Sequence, residues 1–188
     1  MFTKMFDGLT SARLPTVREQ INFCMQSGFL GLLLAVLCMF TQTLKPQIIC
    51  AVVILGVSAI IDAMSTWLLD ILNVFAVAMF VLIAFLSDFG DLERNALSEG
   101  VVLSSIAFIL FYLLYLFDMY FFGDVKYATA LSFVAGYISF NVWTEFVVLA
   151  ILFTGVVACS VYVKVGKHGV FAAGPALFVA LLVSLCVN

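Results

Sequence analysis

The sequence predicts an all-α fold, a polytopic membrane helix bundle of about seven transmembrane helices, and three observations carry that expectation. First, 65% of the 188 residues are hydrophobic and 10% are charged, where a soluble domain carries about 45–50% and about 25%. Mean hydropathy is +1.25, so the chain has too little polar surface to face water all round. Lipid is the solvent it suits. Second, the apolar residues gather into runs near the length that crosses a bilayer as a helix, roughly 17–25 residues. Third, the runs are continuously apolar rather than alternating, which argues against β-barrel strands. No repeat or linker divides them, so residues 21–188 read as a single transmembrane domain. The net charge of -3 offers no basic face, which sets nucleic-acid binding aside.

Residues 1–20 come first, as a cytoplasmic or interfacial segment. Phe2, Met5, Phe6 and Leu9 recur at helical spacing with Lys4 and Asp7 off that face. A short helix lying on the membrane fits this pattern, and so does a frayed polar terminus. The run at 21–41 exceeds the 7–15 apolar residues of a cleaved signal peptide, and "MFTQTLKPQ" lacks a small-residue cleavage site. It is expected to be retained. Further runs follow at 48–69, 71–87, 100–117, 125–140, 143–163 and 170–187, and the fifth of the seven is short.

Orientation follows from the basic residues. With the N-terminus inside, the cytoplasmic side receives Lys4, Arg13, Arg18, Lys126, Lys164 and Lys167, and the outer side only Lys45 and Arg94. That bias satisfies the positive-inside rule. The acidic loop "SDFGDLERNALSEG" and the C-terminus then lie outside.

Cys24, Cys38, Cys50, Cys159 and Cys186 all fall within apolar runs, with no C-x-x-C pair, and His168 is the only histidine. Metal sites need ligands grouped at short spacing, so no metal or other cofactor is expected. The cysteines read as small buried apolar side chains. A single loop histidine gives no general base for a Ser or Cys triad.

Carboxylates remain. Ionisable groups within or beside membrane spans are costly and tend to mark function. Here they are Asp62, Asp70, Asp118, Asp124 and Glu145. On the expected topology Asp62 lies late in the second span and Asp124 opens the fifth, both toward the cytoplasm. They can meet although 62 residues separate them. Two adjacent carboxylates cannot both ionise cheaply, so such a pair holds one proton between them. The ionised member can take a proton from water attacking an amide carbonyl, while the protonated member supports the carbonyl oxygen. Gly123, before Asp124, has no side chain to keep backbone and substrate apart.

In this setting "FGDVKYATAL" resembles the second active-site motif of type IV prepilin peptidases, G-x-G-D followed by Val or Phe and then Lys. "IIDAMSTWLLD" resembles their first motif, whose catalytic aspartate is followed eight residues later by the Asn or Asp closing an I-P-N or L-P-D triplet. Asp62 and Asp70 have that spacing, with Leu68 and Leu69 in the triplet's other positions. "GVFAAGPALFVALL" is similar to the family's Gly-Pro-containing final helix, here Gly174 and Pro175. The resemblance covers roughly residues 48–187. It departs from the pattern at Phe121, which stands at the first glycine position, and at Leu69, which stands where proline is usual.

The resemblance implies a membrane aspartic endopeptidase with Asp62 and Asp124 as catalytic residues. Asp70, Gly123, Lys126, Gly174 and Pro175 would support them. Lys126 would serve as a cytoplasmic anchor, or would orient a substrate carboxylate or tune Asp124. The implied partner is the precursor of a type IV pilin or pseudopilin, in a bacterial or archaeal plasma membrane. Its basic leader would be cut at the cytoplasmic face. Larger members also methylate the new N-terminus through a cysteine-rich segment; nothing here corresponds to it, so peptidase activity alone is expected. Pro175, Ala176 and Leu177 also resemble the Pro-Ala-Leu motif of presenilin-like intramembrane proteases, although Ile61 precedes Asp62 where that group has tyrosine. From another class, a small proton-coupled transporter would place its site near the bilayer midplane between repeated halves. The carboxylates here cluster toward the membrane edges instead.

Overall fold

The computed structural model describes residues 45–65, 70–86, 91–117, 119–165 and 172–187. These residues form six helices and no strand: α1 Pro46–Ser65, α2 Asp70–Leu86, α3 Asp91–Leu116, α4 Phe122–Ile138, α5 Phe140–Val165 and α6 Gly174–Val187. The expected surface helix, the run at 21–41, Cys24, Cys38, Leu68, Leu69, Asp118, Lys167 and His168 lie outside the described residues. Among the described residues two helices are long and apolar enough to cross a membrane, over Arg94–Leu116 and Phe140–Ser160. Only 22% and 28% of their apolar windows is buried within the bundle. Most of that apolar surface therefore faces outward, as it does not in the core helix of a soluble domain.

Two boundaries differ from the sequence expectation. The fourth run was expected to begin at Gly100, yet α3 begins at Asp91, so the acidic stretch is helical over residues 91–100. Leu92, Glu93, Arg94, Ala96 and Leu97 are good helix formers, and hydropathy alone does not register them. The last run was expected from residue 170, but α6 starts at Gly174, with Pro175 in its first turn. Proline suits that position because the N–H it lacks would have no partner inside the helix.

Helix α4 is the centre of the bundle and packs against all five other helices. Its small residues, Ala128, Ala130, Ser132, Ala135 and Gly136, are buried around the helix rather than on one stripe. Small residues allow helix backbones to approach closely. Gly136 illustrates the limit: a Cβ there would meet Leu103 Cβ at 2.9 Å. Around this axis Phe80 is fully buried and packs edge-on against Phe133 and Tyr137, at 5.4 and 4.7 Å between ring centres. Buried hydrogen bonds tie the helices across the core. Ser58 Oγ donates to Asn73 Oδ1 (3.1 Å), Gln47 Nε2 to Tyr137 Oη (3.0 Å) and Trp143 Nε1 to Ser132 Oγ (2.5 Å).

The cysteine expectation is corrected in part. Cys50 is half-buried, but Cys159 and Cys186 are exposed on their helices. An apolar helix surface that faces outward gives a cysteine no core to fill.

Candidate functional site

Helix direction assembles the site. Gln47, near the start of α1, bonds Tyr137, near the end of α4, so the two helices run antiparallel. The end of α1 thus meets the start of α4, and Asp62 and Asp124 come to the same end of the bundle. The start of α6 joins them there through Gly174.

Asp62 is 3% exposed, and its Oδ2 accepts a hydrogen bond from the Gly174 backbone N–H at 2.9 Å. That N–H belongs to the first turn of α6, where backbone donors have no intrahelical acceptor. The helix dipole adds a favourable field for negative charge. The approach depends on glycine, since a Cβ at 174 would lie 2.6 Å from Asp62 Oδ2.

Asp124 is 5% exposed and sits in the first turn of α4. Its Oδ2 accepts from the Phe121 backbone N–H at 3.0 Å. This is the reach-back of a capping box: the third helical residue caps the backbone of the residue before the helix. The Phe121 side chain makes no capping bond, and its ring is 53% exposed. Phenylalanine at this position leaves the capping N–H in place.

Asp62 and Asp124 lie at the same end of the bundle, near enough for the charge of Asp62 to bear on Asp124. Each is held by one backbone N–H, and neither has a Lys or Arg partner among the described residues. Asp70 and Lys126 do not join them. Lys126 Nζ lies 2.5 Å from Asp70 Oδ2, and its ammonium stands over the Phe122 ring at 4.8 Å. Tuning of Asp124 by Lys126 is therefore replaced by a pairing with Asp70, because Asp124 turns inward and Lys126 outward on successive faces of α4. Gly123 is half-buried beside Asp124, and Pro175 follows Gly174 on α6. Glu145 lies on α5, toward the other end of the bundle.

Two tyrosines belong to this neighbourhood and were missed by sequence reasoning. Tyr127 is fully buried, donates from its hydroxyl to the Leu55 carbonyl (2.7 Å) and feels the Asp62 charge. Tyr120 bonds Thr154 and feels Asp124. For Tyr127 the only sequence signal is spacing, three residues after Asp124 and so within one turn of α4; Tyr120 precedes the helix and has no such signal. No family model, curated protein or solved structure matches the chain.

Proposed function

We propose that this chain is a multi-pass membrane aspartic endopeptidase that cuts the leader from type IV prepilin-like or pseudopilin precursors at the cytoplasmic face. One observation carries the reading: Asp62 and Asp124 are buried at the same end of the bundle, within reach of each other's charge, each steered by a backbone N–H. Two such carboxylates hold one proton between them. The ionised member takes a proton from water as it attacks the scissile carbonyl, and the protonated member donates to the carbonyl oxygen as charge develops. The same two groups then exchange roles to protonate the leaving amine.

The membrane setting draws support from the outward apolar surfaces of α2, α3 and α5, including Ile71, Phe85, Ile109, Leu116, Leu152 and Val156. Tyr112, Tyr115 and Phe122 pack together at the end that carries the aspartates. Aromatic clusters of this kind collect at membrane–water interfaces. A site at that depth admits water, holds a substrate's apolar helix in lipid and leaves its leader in the cytoplasm. A multi-pass arrangement of about seven spans, N-terminus inside, belongs to the same reading.

The test is cleavage of a model prepilin in proteoliposomes. Asp62→Asn and Asp124→Asn should each abolish cleavage with insertion preserved, because asparagine keeps the shape and cannot cycle a proton. Either variant retaining more than a few per cent of activity refutes the two-aspartate mechanism. A presenilin-like intramembrane protease is the second reading, and the contact of Gly174 with Asp62 fits it as well as the first, since it brings the Pro175, Ala176 and Leu177 stretch to the site. Cleavage within a substrate's membrane span, with prepilin uncut, would select it.

A further inference from the structure

On the side of α4 away from the aspartates lies a groove of about 990 Å3. Phe133, on its floor, is nine residues from Asp124, two and a half helical turns and hence the opposite face. Helix α2 forms one wall through Val77 and Val81, and Val101 and Ser104 of α3 contribute to the other. Along α2 the lining runs from Asp70 to Phe85, fifteen residues or about 22 Å. That is the thickness of one leaflet with its headgroups, half of a bilayer of about 40–45 Å.

Polar groups gather at one end of this groove. Asp70 and Lys126 line it there, 2.5 Å apart, with side chains 55% and 38% exposed. One turn further in, Asn73 also lines it and is 4% exposed. Its Oδ1 accepts from Ser58, while its Nδ2 has no acceptor among the described residues. This donor is buried at the groove wall. A buried donor without a partner is unfavourable, and a ligand carbonyl at that depth would relieve it.

We propose that this groove binds one zwitterionic phospholipid with a primary ammonium headgroup. Its phosphate meets Lys126 and its ammonium meets Asp70. An ester carbonyl lies at the depth of Asn73, and an acyl chain follows Val77, Val81 and Phe133. Charge selects this occupant. The mouth presents one positive and one negative group, so an anionic headgroup brings an uncompensated charge against Asp70. An apolar helix would take the Asp70–Lys126 pair out of water and offer no polar group of its own to offset that desolvation. The site stands apart from the aspartate pair and does not rest on the peptidase reading.

Native mass spectrometry of the full chain in detergent tests this with three probes of matched acyl chains: dioleoyl phosphatidylethanolamine, dioleoyl phosphatidylglycerol and dioleoylglycerol. One phosphatidylethanolamine should be retained per chain, in preference to the other two by roughly tenfold, the equivalent of about 1.4 kcal/mol. Asn73→Leu should lower retention by a similar factor. So should Ala78→Phe, which fills the groove from an exposed wall position without entering the core. Equal retention of the three probes, or retention unchanged in Ala78→Phe, would overturn the proposal. A disulfide between Val77→Cys and Cys24 or Cys38 would overturn it too, because the run at 21–41 would then be the occupant. A Val77→Cys disulfide between two copies would do the same in favour of a dimer.

Discussion

Replacing Gly174 by alanine puts a methyl group 2.6 Å from Asp62 Oδ2 and 3.2 Å from its Cβ and Cγ. Ordinary contact begins at 3.4 Å, so carboxylate and helix must part by about 0.8 Å. The 2.9 Å bond from the Gly174 N–H is lost or bent in the process. A hydrogen bond to a charged group contributes about 1.5–3 kcal/mol, which sets the scale of the stability loss if Asp62 is ionised. The functional loss should be larger, because misplacing a reacting group by about 1 Å costs on the order of 100-fold in rate. The assay is kcat for leader cleavage in proteoliposomes, alongside thermal unfolding in detergent. Gly155→Ala is the control, since a Cβ there meets nothing within 4 Å. Alanine within a helix should raise stability by roughly 0.5–1 kcal/mol over glycine and leave cleavage unchanged. Wild-type kcat in Gly174→Ala, or equal damage from Gly155→Ala, would refute the argument that close approach of α6 positions Asp62.

Phe121→Gly should leave cleavage broadly intact: the capping group is the backbone N–H, and glycine is tolerated before a helix. Because the ring is 53% exposed, the stability loss should fall well below the roughly 3–5 kcal/mol of a fully buried phenylalanine; a larger drop in thermal unfolding would mean that the ring packs inward. Asp70→Asn should shift stability by no more than about 1 kcal/mol, as expected for an exposed ion pair, and should retain most cleavage; full inactivation would mean Asp70 is the first catalytic carboxylate. Single cysteines at Lys126 and Glu99 should label from opposite sides of the membrane, Lys126 from the cytoplasm, and the reverse pattern would put the aspartates on the wrong face for a leader peptidase.

Composition and run length by themselves determined that the described chain is helical and apolar on its outside. With 10% charged residues, hydrophobicity marks each long helix directly. The same signal failed at residues 91–100, where the helical stretch is largely polar, and at residues 172–173, where an apolar stretch is not helical. Residue type singled out Asp62 and Asp124, because a carboxylate in an apolar run stands out, whereas Gly174 and Pro175 were marked only by the family resemblance. Tertiary structure alone decided which of these groups meet. Antiparallel packing of α1 against α4 and α6 brings residues 62, 124 and 174 together across gaps of 62 and 50 positions, and no local pattern encodes such a contact. It also turned Lys126 away from Asp124 and toward Asp70, since neighbouring residues on a helix point in different directions. The burial of Tyr127 was likewise invisible in sequence. An aromatic in an apolar run looks the same facing outward or facing Asp62, and only the packing of α4 on the other described helices separates the two.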